Sequence, residues 1–443
     1  MSTDEGLVGT HGLEPAAPGA KVTRLELFYD LVFVFAFLNV TTVSAKYLSP
    51  SALSRSLLVL ALLWYVWTSF ATLGNAIRTD QGIMPLFGFG IMAAIFLASV
   101  ALPEAFIDIP TGLPGDLTFA ACYLLALGLQ VLAFWYAVRG DPQLHRWWRR
   151  LAVPPLVTTA LLLVAALVPR QLFRGDAEIR ARLGLWALAV AVAYLLGALT
   201  RRPGLTIVSA GHWAERHAQI VLVALGESIL SLGTGPNLLA GLPLTWPIIG
   251  GAVLGIAVVA ALWWVYFDAR VIAGEQALHR AHGAARLALA RDAYSYLHLP
   301  MIFGIILFSL GLKHVLALIA DPTVPWDRDL LGGIDLAVLY GGVLLFLLAV
   351  LGLQIRTVHQ FRWFQIGALL VLAALIPVAG QLSAFGALVL LAVAVVGAAT
   401  VDSLRNRQPR QRLRRAKLEE ERALEVRETE WRRREHLRRP PET

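Results

Sequence analysis

The side chains with the greatest capacity for chemistry lie within one stretch of the chain, residues 211–233. The stretch reads G-H-W-A-E-R-H-A-Q-I-V-L-V-A-L-G-E-S-I-L-S-L-G, and its main ionisable or nucleophilic members are His212, Glu215, Arg216, His217, Glu227 and Ser228. A carboxylate within an apolar helix costs about 3 kcal/mol or more in lipid, so it usually faces a protein interior or a water-filled cavity. Glu227 therefore points to carriage of a proton or a cation within a membrane.

Helical geometry places several of these residues on one face. Arg216 and Glu227 lie within about 20° of one another at about 100° per residue, and His212 precedes Arg216 by one turn. Their separation along the axis is roughly 16 Å, so Arg216 and Glu227 cannot pair on a straight helix. Each needs a partner on another helix. We assign Glu227 as the proton or cation carrier and Glu215 with Arg216 as a cytoplasmic gate or pair.

A second acidic pair begins the first apolar segment, R-L-E-L-F-Y-D-L-V, where Glu26 and Asp30 lie one turn apart on one face. Carboxylates at a helix N-terminus are favoured by the helix dipole. Two interpretations therefore stay open, an interfacial cap and a functional site. In the functional interpretation Asp30 is the candidate partner from the first span.

The same residues do not predict an enzyme. A serine nucleophile needs a base within hydrogen-bond reach, and His217 lies roughly 16 Å from Ser228 along one helix. The sequence contains no nucleophile elbow around Ser228, no Walker loop and no H-E-x-x-H zinc helix. His279 and His282 lack accompanying Cys or clustered carboxylates, so we expect neither a metal nor a cofactor.

The composition sets the class of protein. The 443-residue chain is 57% hydrophobic and 15% charged, whereas soluble proteins are about 45–50% apolar and about 25% charged. We predict an all-α integral membrane protein. Runs of about 20 apolar residues predict about twelve transmembrane helices, with eleven or ten as alternatives, at 27–47, 56–77, 83–102, 117–138, 151–168, 184–200, 217–234, 247–267, 293–318, 334–354, 364–379 and 383–401.

The distribution of Lys and Arg predicts orientation, because cytoplasmic loops carry more of them. With the N-terminus inside, Arg78, Arg270 and Arg356 fall in cytoplasmic loops. One loop assigned to the outside does not follow this distribution, because it contains Arg170, Arg174, Arg180 and Arg182.

The segment before Leu25 has no apolar core, so we do not expect a cleaved signal. Cys122 is the only cysteine, which excludes an intramolecular disulfide.

Matches in the same order indicate an internal duplication. Glu26 is followed by L-V-F-V at the spacing at which Glu215 is followed by I-V-L-V, and L-G-L-Q recurs at 127–130 and 351–354. Six spans per repeat is an even number, so the repeats are parallel, with the first helix of each at their interface. The predicted domains are a mobile arm (1–24), two six-helix repeats (25–202 and 203–402) and a charged tail (403–443).

The ninth predicted span and the tail add further candidates. His298 is either an interfacial histidine or a member of a proton relay, whereas Lys313 is expected to snorkel to the outer interface. We interpret Trp and Tyr as interfacial belts. The tail holds fourteen Lys and Arg and eight Glu, and its first part, Arg405 to Lys417, suits anionic lipid headgroups better than nucleic acid.

Two segments carry a resemblance to a known family. E-L-F-Y-D-L-V-F-V at 26–34 and E-R-H-A-Q-I-V-L-V-A-L-G-E-S-I at 215–229 resemble the signature segments of the bacterial low temperature requirement A (LtrA) family. The positions that match are Glu215, Arg216, His217, Gly226, Glu227 and Ser228. The resemblance covers residues 24–401 and implies a multi-pass protein of the bacterial inner (plasma) membrane, connected by name to growth in the cold, but no substrate.

The leading function is a secondary transporter of an unknown small solute or ion, with proton coupling as one form of it. Its site would lie between the two repeats, and both termini would be cytoplasmic. The alternative is a membrane sensor or scaffold for cold or envelope stress, in which the tail is the output surface and the buried charges only fix helix contacts.

Overall fold

The computed structural model describes residues 21–46, 48–106, 112–139, 148–199, 207–233, 244–321, 323, 325–359 and 362–438. Most of the predicted N-terminal arm (1–20) and the predicted boundary between the repeats (202 and 203) lie outside the described residues. The described residues are 87% helical and contain no strand. This confirms the predicted all-α class.

The helices longer than one turn are numbered in chain order. They are α1 (Arg24–Lys46), α2 (Pro50–Ala76), α3 (Met84–Ala101), α4 (Gly115–Val138), α5 (Trp148–Leu167), α6 (Asp176–Leu199), α7 (Ala210–Gly233), α8 (Trp246–Phe267), α9 (Arg270–Arg280), α10 (Gly283–Leu289), α11 (Leu297–Ala320), α12 (Gly333–Val358), α13 (Trp363–Ala374), α14 (Ala384–Arg405) and α15 (Arg407–Arg438). A π-helix, Ala290–Tyr296, joins α10 to α11.

Ten helices in the described chain are long and apolar enough to cross a membrane, so this is a multi-pass membrane protein. The twelve-span prediction exceeds that number by two, and the two remaining apolar runs coincide with α7 and α13. Helix α7 falls short because its charged and polar residues lower its hydropathy. Helix α13 and the short helix after it form a shorter apolar segment, Trp363–Ala379.

Helices α1, α7 and α11 lie side by side and run in the same direction. Near their beginnings, His212 of α7 contacts Glu26 of α1 at 3.0 Å. Further along, Glu227 of α7 lies 2.8 Å from Thr41 of α1 and 3.6 Å from Lys313 of α11. Helix α7 therefore passes through the same depth as the apolar helix α1.

The same six helix pairings occur in the two sets of helices that the sequence matches define. In the first set the contacts are α1 with α2, α1 with α3, α3 with α4, α4 with α5, α5 with α6 and α2 with α6. The corresponding contacts are α7 with α8, α7 with α11, α11 with α12, α12 with α13, α13 with α14 and α8 with α14. Helices α1 and α7 pack against each other between the sets.

The last helices also constrain the path of the chain. At one side, Leu330 before α12 forms a bridge with Ser383 before α14. At the other side, Arg270 binds Asp402 near the end of α14 at 3.1 Å, and α9 packs against α12. Helices α12 and α14 are thus parallel, so the intervening residues return from one side to the other. Trp363–Ala379 would span about 25 Å at the rise of an α-helix.

Candidate functional site

Helix α7 carries the candidate site because it buries its charges and exposes hydrocarbon. Leu222, Ile229 and Leu230 are about half exposed, as expected for a surface in contact with lipid. The buried face instead presents His212, Arg216, His217, Glu227, Ser228 and Ser231. Five of the predicted site residues on α7 thus point into the bundle, toward α1 and α11.

Glu215 is different, because its side chain lies on the exposed face of α7. The predicted pair of Glu215 with Arg216 is not formed, and the structure brings Glu215 into neither of the two clusters described below. Consecutive residues on a helix point about 100° apart, so only one of the two can face α1.

The first group of buried charges, which we call the Arg216 cluster, comprises Glu26, Asp30, Asn75, His212 and Arg216. Arg216 Nη1 donates to Asp30 Oδ2 at 2.6 Å and to the Glu26 carbonyl at 2.9 Å. Trp67 also donates to Asp30 Oδ1 at 2.8 Å, and the Arg216 guanidinium lies 5.3 Å from its ring. Asp30 is therefore the partner from α1 that Arg216 needs.

Glu26 combines the two interpretations that the sequence left open. Its carboxylate accepts from the Thr23 backbone at 2.8 Å while its own N–H donates to Thr23 Oγ1, which is a capping box. The same carboxylate lies 3.0 Å from His212 Nε2, and the other ring nitrogen lies 3.3 Å from Asn75 Nδ2. Glu26 is thus both a helix cap and the start of a chain of polar contacts from α1 through α7 to α2.

The second group, the Glu227 cluster, comprises Thr41, Glu227, Ser231 and Lys313. Glu227 Oε1 accepts from Ser231 at 2.5 Å and from Thr41 at 2.8 Å, and Lys313 Nζ lies 3.6 Å away. Lys313 also donates to Thr41 at 2.5 Å. The prediction that Lys313 reaches the outer interface was wrong, because α11 turns this buried side chain toward α7.

His217 and His298 lie beside the Arg216 cluster in an aromatic enclosure. Their ring centroids are 5.2 Å apart, and His298 Nε2 is 2.7 Å from the Tyr266 hydroxyl. The rings around His217 are those of Trp64, Trp67, Trp213 and Tyr294. Since these rings are buried, the belt interpretation is wrong for them, and the equally buried His298 faces protein rather than lipid.

The π-helix before α11 shapes this enclosure. It ends directly before α11, and Ala293 and Ser295 in it offer carbonyls to His298 Nδ1 at 3.1 Å and to Trp64 Nε1 at 2.7 Å. π-helical turns widen a helix and are frequent at functional sites. The local widening frees backbone acceptors for side chains of neighbouring helices.

Several buried polar atoms on α7 have no hydrogen-bond partner among the described residues. They are Nε and Nη2 of Arg216, Nε2 of His217, Oε2 of Glu227 and Oγ of Ser228. Leaving such a group unpaired costs about 1–3 kcal/mol, and in folded proteins most are satisfied. The atoms of Arg216 and Glu227 are the bonding capacity that the two clusters can offer to water, a proton or an ion. Ser228 Oγ has no base beside it.

A cavity of about 570 Å³ adjoins the Arg216 cluster. It lies between α2, α4, α5 and α6 on one side and α7 with the π-helix on the other, and Asn75 and Trp213 form part of its wall. Asn75 contacts His212 and Trp213 contacts His217, so a single side chain would separate a solute in this cavity from each histidine. Other polar wall residues are Tyr65, Ser69, Thr72, Gln130, Arg291 and Ser295. No metal-binding group of three His, Cys, Asp or Glu occurs within the described ranges.

The residues that the sequence analysis missed are Asn75, Trp67, Ser231 and Lys313. A lysine inside a predicted span was the available signal for Lys313. Asn75 and Trp67 gave none, because a single polar or aromatic residue in an apolar helix does not reveal which neighbour it faces.

The tail is docked rather than free. Arg410 binds Asp402 at 2.6 Å and also binds Asp268, and Arg414 binds Asp268 as well. The Arg410 side chain is 10% exposed, and its burial, followed by repulsion from Arg414, lowers the pKa of this guanidinium from its usual range.

Lys417 continues this docking by binding Glu275 of α9 at 2.8 Å. The predicted lipid-binding segment, Arg405 to Lys417, is therefore only partly available to headgroups, since three of its basic residues bind carboxylates of the protein. Beyond Lys417, residues 418–427 and 429–431 of α15 are exposed.

Comparison with known proteins agrees with the two signature segments. The sequence model of the family described as Bacterial low temperature requirement A protein (LtrA) matches residues 21–400. An uncharacterized protein of Rhizobium meliloti (strain 1021) is 28% identical over 307 residues, which cover 66% of this chain and 68% of the relative. The family match includes every residue of both clusters and leaves out α15.

Proposed function

This chain belongs to the bacterial low temperature requirement A family, and from that premise we propose that it is a secondary transporter in which Glu227 carries a proton or a cation. The observation that supports this most is the Glu227 cluster, where a fully buried carboxylate keeps one oxygen unpaired. Ionisable residues at membrane depth usually mark ion or proton pathways.

The placement of the clusters supports transport in a second way. Both lie on α7 where it packs against α1, between the two sets of six helices whose pairings match. Transporters built from parallel repeats bind substrate and coupling ions at the interface of the repeats. We therefore propose twelve spans in two repeats, with α7 and the segment Trp363–Ala379 as the seventh and eleventh spans.

The cavity beside Asn75 and Trp213 is the proposed route for the solute. Its volume of about 570 Å³ is within the range of about 300–1,000 Å³ that suits small molecules. His217 contacts Trp213 of the cavity wall with ring centroids 4.7 Å apart and lies 5.2 Å from His298, so these two histidines are the proposed proton acceptors nearest the solute. Among the described residues no base hydrogen-bonds to the buried Ser228, and we propose no enzymatic activity.

The test is the internal pH of sealed proteoliposomes that contain purified protein and a fluorescent pH reporter. Under an imposed ion gradient, Glu227→Gln is expected to abolish the proton movement seen with the unmodified protein. Glu215→Gln is the matched control, since it makes the same change on the exposed face of α7 and should keep the movement. Unchanged flux in Glu227→Gln would rule out the carrier role.

A second candidate function, a sensor or scaffold, is favoured by the docked tail. Salt bridges from Arg410, Arg414 and Lys417 connect α15 to the membrane helices, so a change in the bundle could alter what α15 presents. Truncation after Lys417 separates the two functions. A scaffold should lose complementation of growth in the cold, whereas a transporter should retain both growth and proton movement.

We also propose the plasma membrane as the location, with both termini in the cytoplasm. The basic loop assigned to the outside, which contains Arg170, Arg174, Arg180 and Arg182, argues against this orientation less strongly than its sequence alone suggests. Arg170 and Arg182 both bind Asp116, and Arg182 also approaches Glu178 at 3.9 Å. Two of its four arginines are therefore neutralised within the protein.

A further inference from the structure

A second large cavity, of about 830 Å³, lies at the end of the bundle where α1 and α7 begin. Its wall is formed by α9, the end of α12, the residues just after it and the first turns of α15. The wall is strongly basic and contains Arg270, Arg280, Arg356, Arg362, Arg410 and Arg412, with Asp402 as its carboxylate.

Half of these arginines are already paired with acids. Arg270 and Arg410 bind Asp402 at 3.1 and 2.6 Å, and Arg356 binds Asp292 at 3.2 Å. Asp402, the one carboxylate among the described residues of the wall, is therefore already bound to two arginines.

The other three arginines have no ion-pair partner among the described residues. Arg280 makes only a 3.5 Å contact with the neutral Gln276, while Arg362 and Arg412 make no ion pair there. The three come from separate elements, α9, the α12 to α13 connection and α15. Like charges gathered around one space repel each other, so the arrangement favours an anion between them.

We propose that this cavity binds a phosphate-bearing anion through Arg280, Arg362 and Arg412. Guanidinium groups form bidentate, charge-assisted hydrogen bonds with phosphate oxygens, so three arginines around one cavity suit a phosphate-bearing anion. The volume accommodates either the headgroup of an anionic phospholipid or a free phosphate compound. Because Arg412 lies on α15, the bound anion would also fasten the tail to the membrane domain. This inference does not depend on the transport proposal.

The experiment uses the full chain purified in a neutral detergent and two probes. Inorganic pyrophosphate is titrated by calorimetry, and retention of phosphatidylglycerol against phosphatidylcholine is measured by native mass spectrometry. The variant Arg280→Gln/Arg362→Gln/Arg412→Gln is expected to weaken binding of the effective probe at least about tenfold. The matched control, Arg415→Gln/Arg422→Gln/Arg427→Gln, removes the same charge from exposed positions of α15 and should bind normally.

The outcomes separate the sources of the anion. Selective loss of phosphatidylglycerol identifies a lipid headgroup, and selective loss of pyrophosphate identifies a free phosphate compound. Equal binding by both triple variants, or no binding of either probe by the unmodified chain, overturns the proposal. If the triple variant does not purify as a single species, Arg412→Gln against Arg415→Gln repeats the comparison at exposed sites, with faster tryptic cleavage of α15 expected only in Arg412→Gln.

Discussion

At the scale of residues, the Glu227 and Lys313 pair shows why charges can persist at membrane depth. Each charge alone would be expensive to bury, and their attraction with two hydroxyl contacts offsets much of that cost. Removing one member leaves the other charge buried without a partner, whereas removing both leaves no unpaired charge. The pair can therefore be tested by a double-mutant cycle.

We predict that Glu227→Gln or Lys313→Met alone lowers the free energy of unfolding by about 3 kcal/mol. The double variant should cost less than the sum of the two by about 1 kcal/mol or more, because no unpaired charge remains. Thermal unfolding in detergent measures the stability of the two single variants and of the double variant. Strict additivity would show that the two side chains do not interact.

At the scale of elements, α11 and α12 depend on glycine for their close approach. A Cβ added at Gly342 would lie 2.4 Å from the Phe308 backbone nitrogen and 2.6 Å from the Gly304 carbonyl oxygen. Small residues allow helices in membranes to pack backbone against backbone. This contact holds α11 in place and with it Lys313 and His298.

Gly342→Ala is expected to destabilise the protein by about 1–3 kcal/mol, because backbone atoms must move apart. Its neighbour provides the control, since a Cβ at Gly341 meets nothing within 4 Å. Gly341→Ala should be neutral or stabilising by up to about 1 kcal/mol through helix propensity. Equal melting temperatures for the two variants would contradict the close packing.

Gly226, which precedes Glu227, differs from Gly342 in this respect. A Cβ there meets nothing within 4 Å, so close approach of another helix does not explain this glycine.

Helix α15 provides another test at this scale. Truncation after Lys417 keeps Arg410, Arg414 and Lys417, and should leave the melting temperature unchanged. Truncation after Arg405 removes all three and leaves the buried Asp268 and Asp402 short of partners, with a cost of about 3 kcal/mol. Differential scanning fluorimetry compares the two, and similar melting temperatures would mean that the docked tail contributes nothing to stability.

At the scale of the whole molecule, the number of crossings decides the topology. Trp326 precedes α12 and Leu424 lies on α15, and both side chains are exposed. If Trp363–Ala379 crosses the membrane, three crossings separate them and they lie on opposite sides. If it does not, α12 and α14 are antiparallel instead of parallel, two crossings separate the two residues, and they lie on the same side.

In a Cys122→Ala background, which removes the only cysteine, Trp326→Cys and Leu424→Cys can be labelled one at a time. We expect a membrane-impermeant maleimide added to intact cells to label Trp326→Cys. Leu424→Cys should react only after the cells are opened. Labelling of both variants in intact cells, or of neither, would exclude the twelve-span topology with a cytoplasmic tail.

The sequence by itself determined the class of this protein and most of its helices. Apolar length specifies a membrane helix because lipid cannot satisfy backbone polar groups, and the E-R-H-A-Q-I-V-L-V-A-L-G-E-S-I segment at 215–229 identified the family. The helical period also showed that Arg216 and Glu227 needed separate partners.

Only the tertiary structure decided which partners these are. Asp30 was one candidate among several, and Lys313 was assigned to the wrong environment, because hydrophobic periodicity gives the face of a helix but not the neighbour that covers it. The docking of Arg410, Arg414 and Lys417 was likewise invisible, since a basic run suits lipid and protein carboxylates equally. Long-range charge pairing depends on how separate helices pack, and no local pattern in the chain records that.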